Sequence, residues 1–584
     1  MTRPAVLVLA LAAALAAGAA IPAAPAAAPA SGPAAAPARP GGGGPPFDFV
    51  LRGGRIVDGA GNPWYTADLG IRGDRIAAIG RLEGAAARKT IDVTGLVVAP
   101  GFIDMLGQSE YTVLADPRVP GKTTQGITTE LTGEGGSVGP MTTYSAKQIV
   151  PGLADLQIAV DWTDHASYFR VVEKKGTAIN FAHLVGAAQV REAVLEGANR
   201  PPTPEELEKM KALVARAMEQ GAFGLSSSLI YPPGTFADTR ELVELAKVAA
   251  RHGGLYATHI RNEAERLLEA LDEAAAIGAE AGLPVEIWHL KSAGRPNWGR
   301  MREALEAIEK YRTRGIDMTA DIYPYPASMT GLAAGLPPTA AEGGLEALMK
   351  RLRDPAEREK IRAEIENPTL GYENLYRGTG GAEGVLIAGV RTEANRKFQG
   401  KRLSEVAAMR GVDPVTAMFD LLVEENGSVD TVYFSMSEDD VHLAMVQPWV
   451  SFNCDAAGVT PDGPLGRSMT HPRAYGSFPR ILGRYVRDAG LLRLEEAIRK
   501  MTSLPAQRLG LRDRGLLRPG LYADIAVFDP AAVIDRATFE DPHRYSEGIV
   551  HVFVNGQPVV EGGKPTGRLP GRILRGPGWR GPSK

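Results

Sequence analysis

Cysteine, basic runs and excess charge of either sign are all scarce in this chain. Its 584 residues contain one cysteine, Cys454, and carry a formal net charge of only −3. A single cysteine excludes any disulfide within the chain, so we expect its stability to come from a hydrophobic core. No basic run with interleaved aromatic residues occurs, and such a run is what holds a phosphate backbone. Nucleic acid is therefore excluded as a predicted partner.

Long apolar runs are also rare. The one run that could enter a membrane lies at the start of the chain and is short. Residues 1–20 carry Arg3, an apolar core at residues 5–17 and small residues beyond it. This pattern predicts a secretory signal peptide, with an uncleaved membrane anchor as the alternative. Residues 21–46 are almost entirely Ala, Pro and Gly, which predicts a disordered linker. We therefore expect a periplasmic or secreted protein without a stable membrane anchor.

Short strand-like runs separated by tight turns lie at both ends of the remaining sequence. They occupy residues 47–99 and residues 506–564, and the second segment contains Asn555-Gly556, a pair typical of two-residue hairpins. We expect the two segments to pair into one small β-sandwich. Residues 565–584 follow as a tail.

Between these segments, strand-like runs alternate with helical stretches over residues 100–505. The alternation of β and α elements predicts a TIM-type (β/α)8 barrel of the α/β class. Residues 331–411 interrupt it with charged, helix-forming sequence, which we interpret as an inserted subdomain or lid, or else as a pair of surface helices. The eight strand-like runs are residues 97–104, 128–133, 180–185, 222–227, 255–259, 285–289, 317–321 and 449–455.

Two histidines close neighbouring runs of this barrel. His259 ends one run and His289 ends the next, and a helical pattern at residues 264–281 separates them. Parallel strands bring their carboxyl ends to one edge of the barrel, so we expect the two imidazoles to lie side by side. Neutral imidazole is the most common protein ligand of zinc. The pair predicts a metal site, with purely structural strand-end histidines as the alternative.

The order of several motifs resembles the amidohydrolase superfamily, and within it the N-acyl-D-amino-acid deacylases, or D-aminoacylases. The resemblance covers nearly all of residues 47–564. It implies a metal-dependent barrel flanked by the β-sandwich, and an enzyme that hydrolyses linear amide bonds. The motifs are VVAPGFIDM, GITTELTGEGGSVGP, GLSSSLIYPPGTFADTRELVELA, YATHIRNE, HLKSAG, DIYPYPAS, HPRAYGSFPRILGRYVRD, KMTSLPAQRLGLRDRG and PGLYADIAVFDP.

The resemblance also implies which residues carry the chemistry. His259 and His289 match the tightly binding zinc ligands of the family, and Asp455 matches its general base. The HxH pair that usually follows GFID is replaced here by Leu106 and Gln108. Leucine cannot bind a metal and an amide oxygen is a poor zinc ligand, so we expect one Zn²⁺ per chain rather than two.

A second departure concerns the cysteine that bridges the metals in many deacylases. Its position holds Gly135, in a glycine-rich turn that also contains Glu134. We predict that Glu134 completes a set of two histidines and one carboxylate, with a fourth position open for water; the alternative is an exposed turn carboxylate. Cys454 is an alternative soft ligand, or simply a small buried residue at a strand end.

Further positions of the family's site can be matched residue by residue. The substrate-binding positions fall on Lys291, Tyr323 and Arg473. Fixed cations and hydroxyl groups suit a substrate carboxylate, and the planar guanidinium suits it best. We also expect Glu263 to form a supporting ion pair with Arg261.

The predicted function is zinc-dependent hydrolysis of N-acyl-D-amino acids. In this hypothesis, Asp455 takes a proton from the metal-activated water and returns it to the leaving nitrogen, while Asp321 orients a ligand imidazole. The D configuration and the acyl group rest on the resemblance alone.

Two other functions compete with this hypothesis. A cyclic amidase or dipeptidase shares the barrel and the metal, but those enzymes usually keep the HxH pair and a bridging lysine, which this chain lacks at the matching positions. The missing HxH pair favours a barrel that binds an N-acylated ligand without turnover. The retained histidines and carboxylate-binding residues argue against such a binder. The sequence makes no prediction of the oligomeric state.

Overall fold

A computed structural model describes residues 46–581 of the chain. The predicted signal peptide at residues 1–20, and the predicted linker up to residue 45, lie outside the described residues. Within the part of the chain that is described, no helix is long and apolar enough to span a bilayer.

The described residues contain both strands and helices in the alternating order that the sequence predicts. Labels follow the chain. The strands are β1 (Phe47–Ile56), β2 (Tyr65–Arg72), β3 (Arg75–Gly80), β4 (Ala87–Asp92), β5 (Val97–Pro100), β6 (Phe102–Asp104), β7 (Ile127–Thr132), β8 (Asn180–His183), β9 (Val185–Gly186), β10 (Gly224–Ser228), β11 (Leu255–His259), β12 (Val285–Ile287), β13 (Met318–Ile322), β14 (Ser328–Gly331), β15 (Val385–Gly389), β16 (Asp430–Tyr433), β17 (Val450–Phe452), β18 (Ile525–Phe528), β19 (Ile549–Val554), β20 (Gln557–Glu561) and β21 (Lys564–Pro565).

The helices vary from single turns to four turns and mostly follow the barrel strands. The α-helices are α1 (Thr112–Ala115), α2 (Pro120–Thr123), α3 (Thr143–Asp155), α4 (His165–Lys175), α5 (Ala187–Leu195), α6 (Pro204–Glu219), α7 (Thr239–Arg251), α8 (Leu267–Ala281), α9 (Met301–Thr313), α10 (Leu345–Arg353), α11 (Pro355–Glu366), α12 (Leu375–Gly378), α13 (Leu403–Arg410), α14 (Pro414–Glu424), α15 (Glu438–Met445), α16 (Arg473–Arg480), α17 (Leu494–Met501) and α18 (Ser503–Arg508).

Eight parallel strand positions form the central barrel. Their order is β6, β7, β8 with its continuation β9, then β10, β11, β12, β13 and β17. The ring closes between β17 and β6, where the backbone N–H of Asp455 donates to the carbonyl of Leu106 at 2.9 Å. Strands β11 and β12 are buried along their whole length, as expected when helices cover a parallel sheet. The predicted α/β barrel is confirmed.

The first predicted barrel run, residues 97–104, is wrong in one respect, because it divides between two sheets. Strand β5 belongs to the terminal sheet and β6 to the barrel, with Gly101 between them. The backbone N–H of Gly101 donates to the carbonyl of Asp524 at 2.8 Å. A Cβ at Gly101 would lie 2.2 Å from the Thr128 hydroxyl oxygen, so only glycine lets the chain pass here.

Both ends of the described chain contribute to one nine-stranded sheet. Strands β1 to β5 come from the N-terminal segment and β18 to β21 from the C-terminal one, and they meet where β5 pairs antiparallel with β18. Apolar residues such as Leu69, Val98 and Phe553 form a separate buried core for this sheet. Asn555 and Gly556 both have positive φ and join β19 to β20, as the hairpin signal predicts. The predicted β-sandwich from both termini is confirmed.

The interruption of the barrel is larger than the predicted residues 331–411. Strands β14, β16 and β15 form a three-stranded antiparallel sheet, so the insertion begins at Ser328 and ends at Tyr433. Helices α10 to α14 pack on it around a core of their own, with Leu352, Leu403 and Phe419 fully buried. The sequence pattern missed the strands because they are short and lie far apart in the chain.

A buried polar cluster joins the terminal sheet to the barrel. One carboxylate oxygen of Asp524 accepts from the Asn180 side chain at 3.1 Å, and the other accepts from the backbone N–H of Asn555 at 2.7 Å. Asp524 also pairs with Arg514, and both side chains are 3% exposed. Arg514 also lies 3.5 Å from Asp513 Oδ1, but the Asp513 side chain is 50% exposed, so Asp524 is the buried carboxylate that compensates the charge of Arg514.

We expect Asp524→Ala to lower the free energy of unfolding by about 3–5 kcal/mol, because it removes the buried partner of the Arg514 guanidinium and leaves only the half-exposed Asp513 beside it. The measurement is chemical denaturation followed by circular dichroism. Asp541→Ala is the matched control, since Asp541 is exposed and its change is expected to stay within about 0.5 kcal/mol. Equal effects of the two variants would contradict the assigned role of Asp524.

Candidate active site

The carboxyl ends of the barrel strands open into a cavity of about 620 Å³. Such a position is where the active sites of (β/α)8 barrels lie. Six of the seven site residues predicted from the sequence line this cavity: Glu134, His259, His289, Lys291, Asp455 and Arg473.

Three of these residues form a potential metal site. Glu134 follows β7, His259 ends β11 and His289 follows β12, and each offers a ligand atom within 4.8 Å of the other two. Glu134 Oε1 lies 3.1 Å from His259 Nδ1 and 3.3 Å from His289 Nε2. Zinc bonds of about 2.0–2.1 Å put tetrahedral ligand atoms about 3.3 Å apart. The donor set and its spacing therefore fit Zn²⁺.

The electrostatics of the two carboxyl groups differ in a way that suits their predicted roles. Burial raises the pKa of Glu134, but hydrogen bonds from His259 and His289 outweigh it, and the net pKa lies well below its usual value. Burial raises the pKa of Asp455 above its usual value, although Arg473 opposes the shift. Glu134 thus stays ionised as a ligand must, whereas Asp455 accepts a proton more readily than an exposed aspartate.

Gln108 lies between these two carboxylates. Its side-chain amide donates to Glu134 Oε2 at 2.9 Å and to Asp455 Oδ1 at 2.7 Å. The family resemblance identifies Gln108 only as the replacement of a metal-binding histidine. No signal in the sequence pointed to this bridging position, because it depends on closure of the ring between β17 and β6.

The backbone is strained at two of the site residues. His289 has φ 37° and Asp455 has φ 45°, in a left-handed region that side chains other than glycine rarely adopt. The backbone N–H of His289 donates to Asp321 Oδ1 at 2.6 Å, and the Asn453 side chain donates to the same carboxylate. Asp321 therefore acts on the ligand residue His289 as predicted, but through its strained backbone rather than through the imidazole ring.

Glu263 contacts both imidazoles and a lysine. Its carboxylate lies 3.0 Å from His289 Nδ1, 3.5 Å from His259 Nε2 and 2.6 Å from Lys291 Nζ. The predicted ion pair of Glu263 with Arg261 is wrong, since Arg261 pairs with Glu273 at 2.8 Å. Because Glu263 follows His259 by four residues on a loop rather than a helix, sequence spacing did not reveal its direction.

The three predicted substrate-binding residues lie together, at different depths. Arg473 contacts Asp455 Oδ2 at 2.7 Å, and its guanidinium lies 4.6 Å from the ring centre of Tyr323. Lys291 Nζ lies 5.7 Å from the same ring. Tyr323 itself is fully buried behind the cavity wall, and its hydroxyl donates to the sulfur of Met436 at 3.4 Å. The two cations face the cavity, whereas the tyrosine supports them.

Cys454 is not a ligand of the described site; it is the small buried residue near a strand end that the alternative predicts. Cys454 is fully buried with Sγ 3.8 Å from Gln125 Oε1, and it does not line the cavity. At the position of the family's bridging cysteine, Gly135 has φ 62°, and a Cβ there would lie 2.4 Å from Ser228 Cβ. The turn therefore has no room for a side chain at residue 135, and Glu134 alone projects from it into the cavity.

Comparisons with known proteins agree with this geometry. The family model described as "Amidohydrolase family" matches residues 89–560. A D-aminoacylase of Alcaligenes xylosoxydans xylosoxydans is 39% identical over 535 residues, which cover 91% of this chain and 98% of that protein.

Solved structures are similar over the same extent. A zinc complex of N-acyl-D-glutamate deacylase from Bordetella bronchiseptica, with a phosphonate mimic of the tetrahedral intermediate, has a TM-score of 0.77 and 36% identity, covering 91% of this chain and all of its own. A D-aminoacylase structure has a TM-score of 0.75, 36% identity and the same coverage, and its binuclear centre shows one-metal activation and second-metal attenuation. The chain belongs to the amidohydrolase family, alongside the D-aminoacylases and N-acyl-D-amino-acid deacylases.

Proposed function

We propose that this chain hydrolyses the amide bond of N-acyl-D-amino acids and uses Zn²⁺ to do so. The observation that carries the proposal is the cluster of Glu134, His259 and His289 at the carboxyl ends of the strands, with Asp455 beside it. Similarity to D-aminoacylase and N-acyl-D-glutamate deacylase over most of the chain supports the substrate class.

In this proposal each side chain has a distinct task. Glu134, His259 and His289 hold the zinc ion, which when bound polarises the amide carbonyl and lowers the pKa of water toward about 7. Asp455 takes the proton from the attacking water and returns it to the leaving nitrogen, a transfer typically worth about 10²- to 10⁴-fold in rate. Lys291 and Arg473 bind the substrate carboxylate.

We propose that the chain holds one zinc ion at this site. The support is the hydrogen bonding of Gln108, whose amide donates to Glu134 and Asp455 at 2.9 Å and 2.7 Å. A second cation would need these same oxygens, and the N–H groups of Gln108 cannot coordinate it. Leu106, at the other position of the family's HxH pair, offers no ligand atom.

We also propose that the protein is exported to the periplasm or secreted. The support lies wholly in the sequence of residues 1–20, with a short n-region, an apolar core and small residues beyond it.

Hydrolysis of matched N-acetyl-D- and N-acetyl-L-amino acids by the mature protein tests the function. We expect D-selective release of the free amino acid and about one zinc ion per chain by elemental analysis of the same preparation. Asp455→Asn is expected to lower kcat by about 10²- to 10⁴-fold without loss of zinc, because it removes the base and keeps the ligands. Bound zinc with no turnover of either enantiomer would reject the substrate class, and a zinc-free active protein would reject the metal site.

The single-metal proposal predicts the effect of restoring the HxH pair. The double variant Leu106→His and Gln108→His is expected to bind about two zinc ions per chain, since it supplies two imidazoles beside Glu134 and Asp455. Elemental analysis after dialysis, with calorimetric titration, measures the stoichiometry. Gln108→Ala is the control, because it removes the amide without adding a ligand and is expected to keep about one. Two zinc ions in the unaltered protein would contradict the proposal.

A further inference from the structure

A second cavity of about 360 Å³ adjoins the metal site. We call it the annex; the residues that line both cavities are Glu192, Ile230, Tyr231, Pro232 and Pro233. Its far wall comes from the insertion, where Leu336, Leu345 and Leu348 face it across from Phe236. An apolar chamber built by two separately packed parts of the chain is a preformed site for an apolar group.

The annex lies across the barrel from Arg473, one of the two cations proposed to bind the substrate carboxylate. Residues 230–233 follow β10, the fourth strand of the ring, whereas Arg473 contacts Asp455 next to β17, the eighth. Lys291 follows β12, the sixth strand. His259 and His289 lie at the fifth and sixth strands, so the ring order puts them between the annex and Arg473, and Lys291 lies just beyond His289.

The connectivity of an N-acyl-amino acid then decides which part of it enters the annex. Its carboxylate and its acyl group lie at opposite ends, with the scissile carbonyl between them, and the amino-acid side chain branches on the carboxylate side. With the carboxylate on Arg473 and Lys291 and the carbonyl at the metal ligands, the acyl group extends toward Tyr231. The ring of Tyr231 packs against His259 at a centroid distance of 5.3 Å, directly beside the entrance to the annex.

The charges around the annex restrict the kind of acyl group. Among the described residues its wall contains Glu192 and Glu196, and no lysine, arginine or histidine. Glu192 lies in the wall that the annex shares with the metal cavity, and burial raises the pKa of its carboxyl group to about 7. A second carboxylate in the annex would meet this group without a cation to compensate it.

We propose that this chain acts on N-acyl-D-amino acids whose acyl group is an extended, uncharged apolar chain, and that the annex binds this chain. The inference rests on the proposed function and adds the acyl class to it. Apolar burial contributes at most about fourfold in kcat/KM for each methylene removed from water, until the annex is full. The activity is therefore expected to rise with acyl length and then to level off.

A pair of isomeric probes separates the acyl group from the amino-acid side chain. N-octanoyl-D-alanine and N-acetyl-D-2-aminononanoate contain the same atoms, with the additional methylenes on the acyl group or on the side chain. With N-acetyl-D-alanine as reference, we expect kcat/KM to rise at least tenfold for the octanoyl probe and less for its isomer. Release of the free amino acid is measured by chromatography, at probe concentrations below micelle formation.

A substitution that fills the annex tests the same inference by changing the protein instead of the substrate. Ala333→Phe places a ring in the annex, because Ala333 lines it and does not line the metal cavity. We expect it to lower the ratio of octanoyl to acetyl kcat/KM by about tenfold. Ala363→Phe is the matched control on the exposed face of α11 and is expected to leave this ratio unchanged. Zinc content reports whether each variant is folded.

Charge selection is tested at pH 8.5, where Glu192 is ionised. N-suberoyl-D-alanine has an acyl group that ends in a carboxylate, and its kcat/KM is expected to be at least tenfold lower than that of the octanoyl probe. Glu192→Gln is expected to reduce this ratio of kcat/KM values.

Several outcomes would overturn the inference. They are a wild-type preference for the acetyl probe over the octanoyl probe, faster turnover of the side-chain isomer, and equal effects of Ala333→Phe and Ala363→Phe on the ratio. The wild-type series keeps the test valid if Ala333→Phe does not fold. Hydrolysis of the acetyl probe alone would reject the annex and leave the proposed function standing. No hydrolysis of any probe would reject both.

Discussion

The site depends on the compensation of three buried carboxylates that lie together in the cavity. Glu134, Glu263 and Asp455 have side chains no more than 13% exposed. Removing ionised carboxylates from water costs several kcal/mol each unless they are paired. Lys291 neutralises Glu263 at 2.6 Å, and Arg473 neutralises Asp455 at 2.7 Å. Glu134 has two imidazoles, the Gln108 amide and the Ser228 hydroxyl beside it, and among the described residues no lysine or arginine pairs with it, so a divalent cation there would supply the compensating charge.

The same barrel that collects this charge also fixes the backbone that presents it. His289 and Asp455 keep left-handed conformations, which persist only where the surroundings determine them. Behind Asp455, the ammonium of Lys122 donates to the carbonyl of Ala456 and to Asp104 Oδ2, each at 2.6 Å. These buried hydrogen bonds fix the chain next to Asp455. The backbone strain is therefore offset by bonds within the barrel and does not require a bound metal ion.

The sequence predicts those elements whose signal lies within a short stretch of chain, such as an apolar run or a turn. The run that ends at His259 and the hairpin at Asn555-Gly556 are periodic or turn signals, and the structure has them where they were expected. The bridging position of Gln108 and the contacts of Glu263 depend on which way side chains point after the ring closes. No spacing in the chain encodes that direction, and the motif resemblance carried only the residues that match the family. The insertion was underestimated because the partner strands of its sheet lie about a hundred residues apart.

The insertion is best understood as a wall of the active site rather than an appendage. Glu373, on the loop before α12, accepts a hydrogen bond from the backbone N–H of Glu263 at 2.6 Å, and the carbonyl of Met329 in β14 accepts one from Arg473 at 3.3 Å. Both contacts reach residues that take part in the ion pairs of the site. The insertion packs around a core separate from that of the barrel, so the far wall of the annex and the metal ligands belong to different packing units. In the proposed binding mode the acyl chain therefore contacts both packing units, whereas the metal-site residues and Asp455 come from the barrel alone.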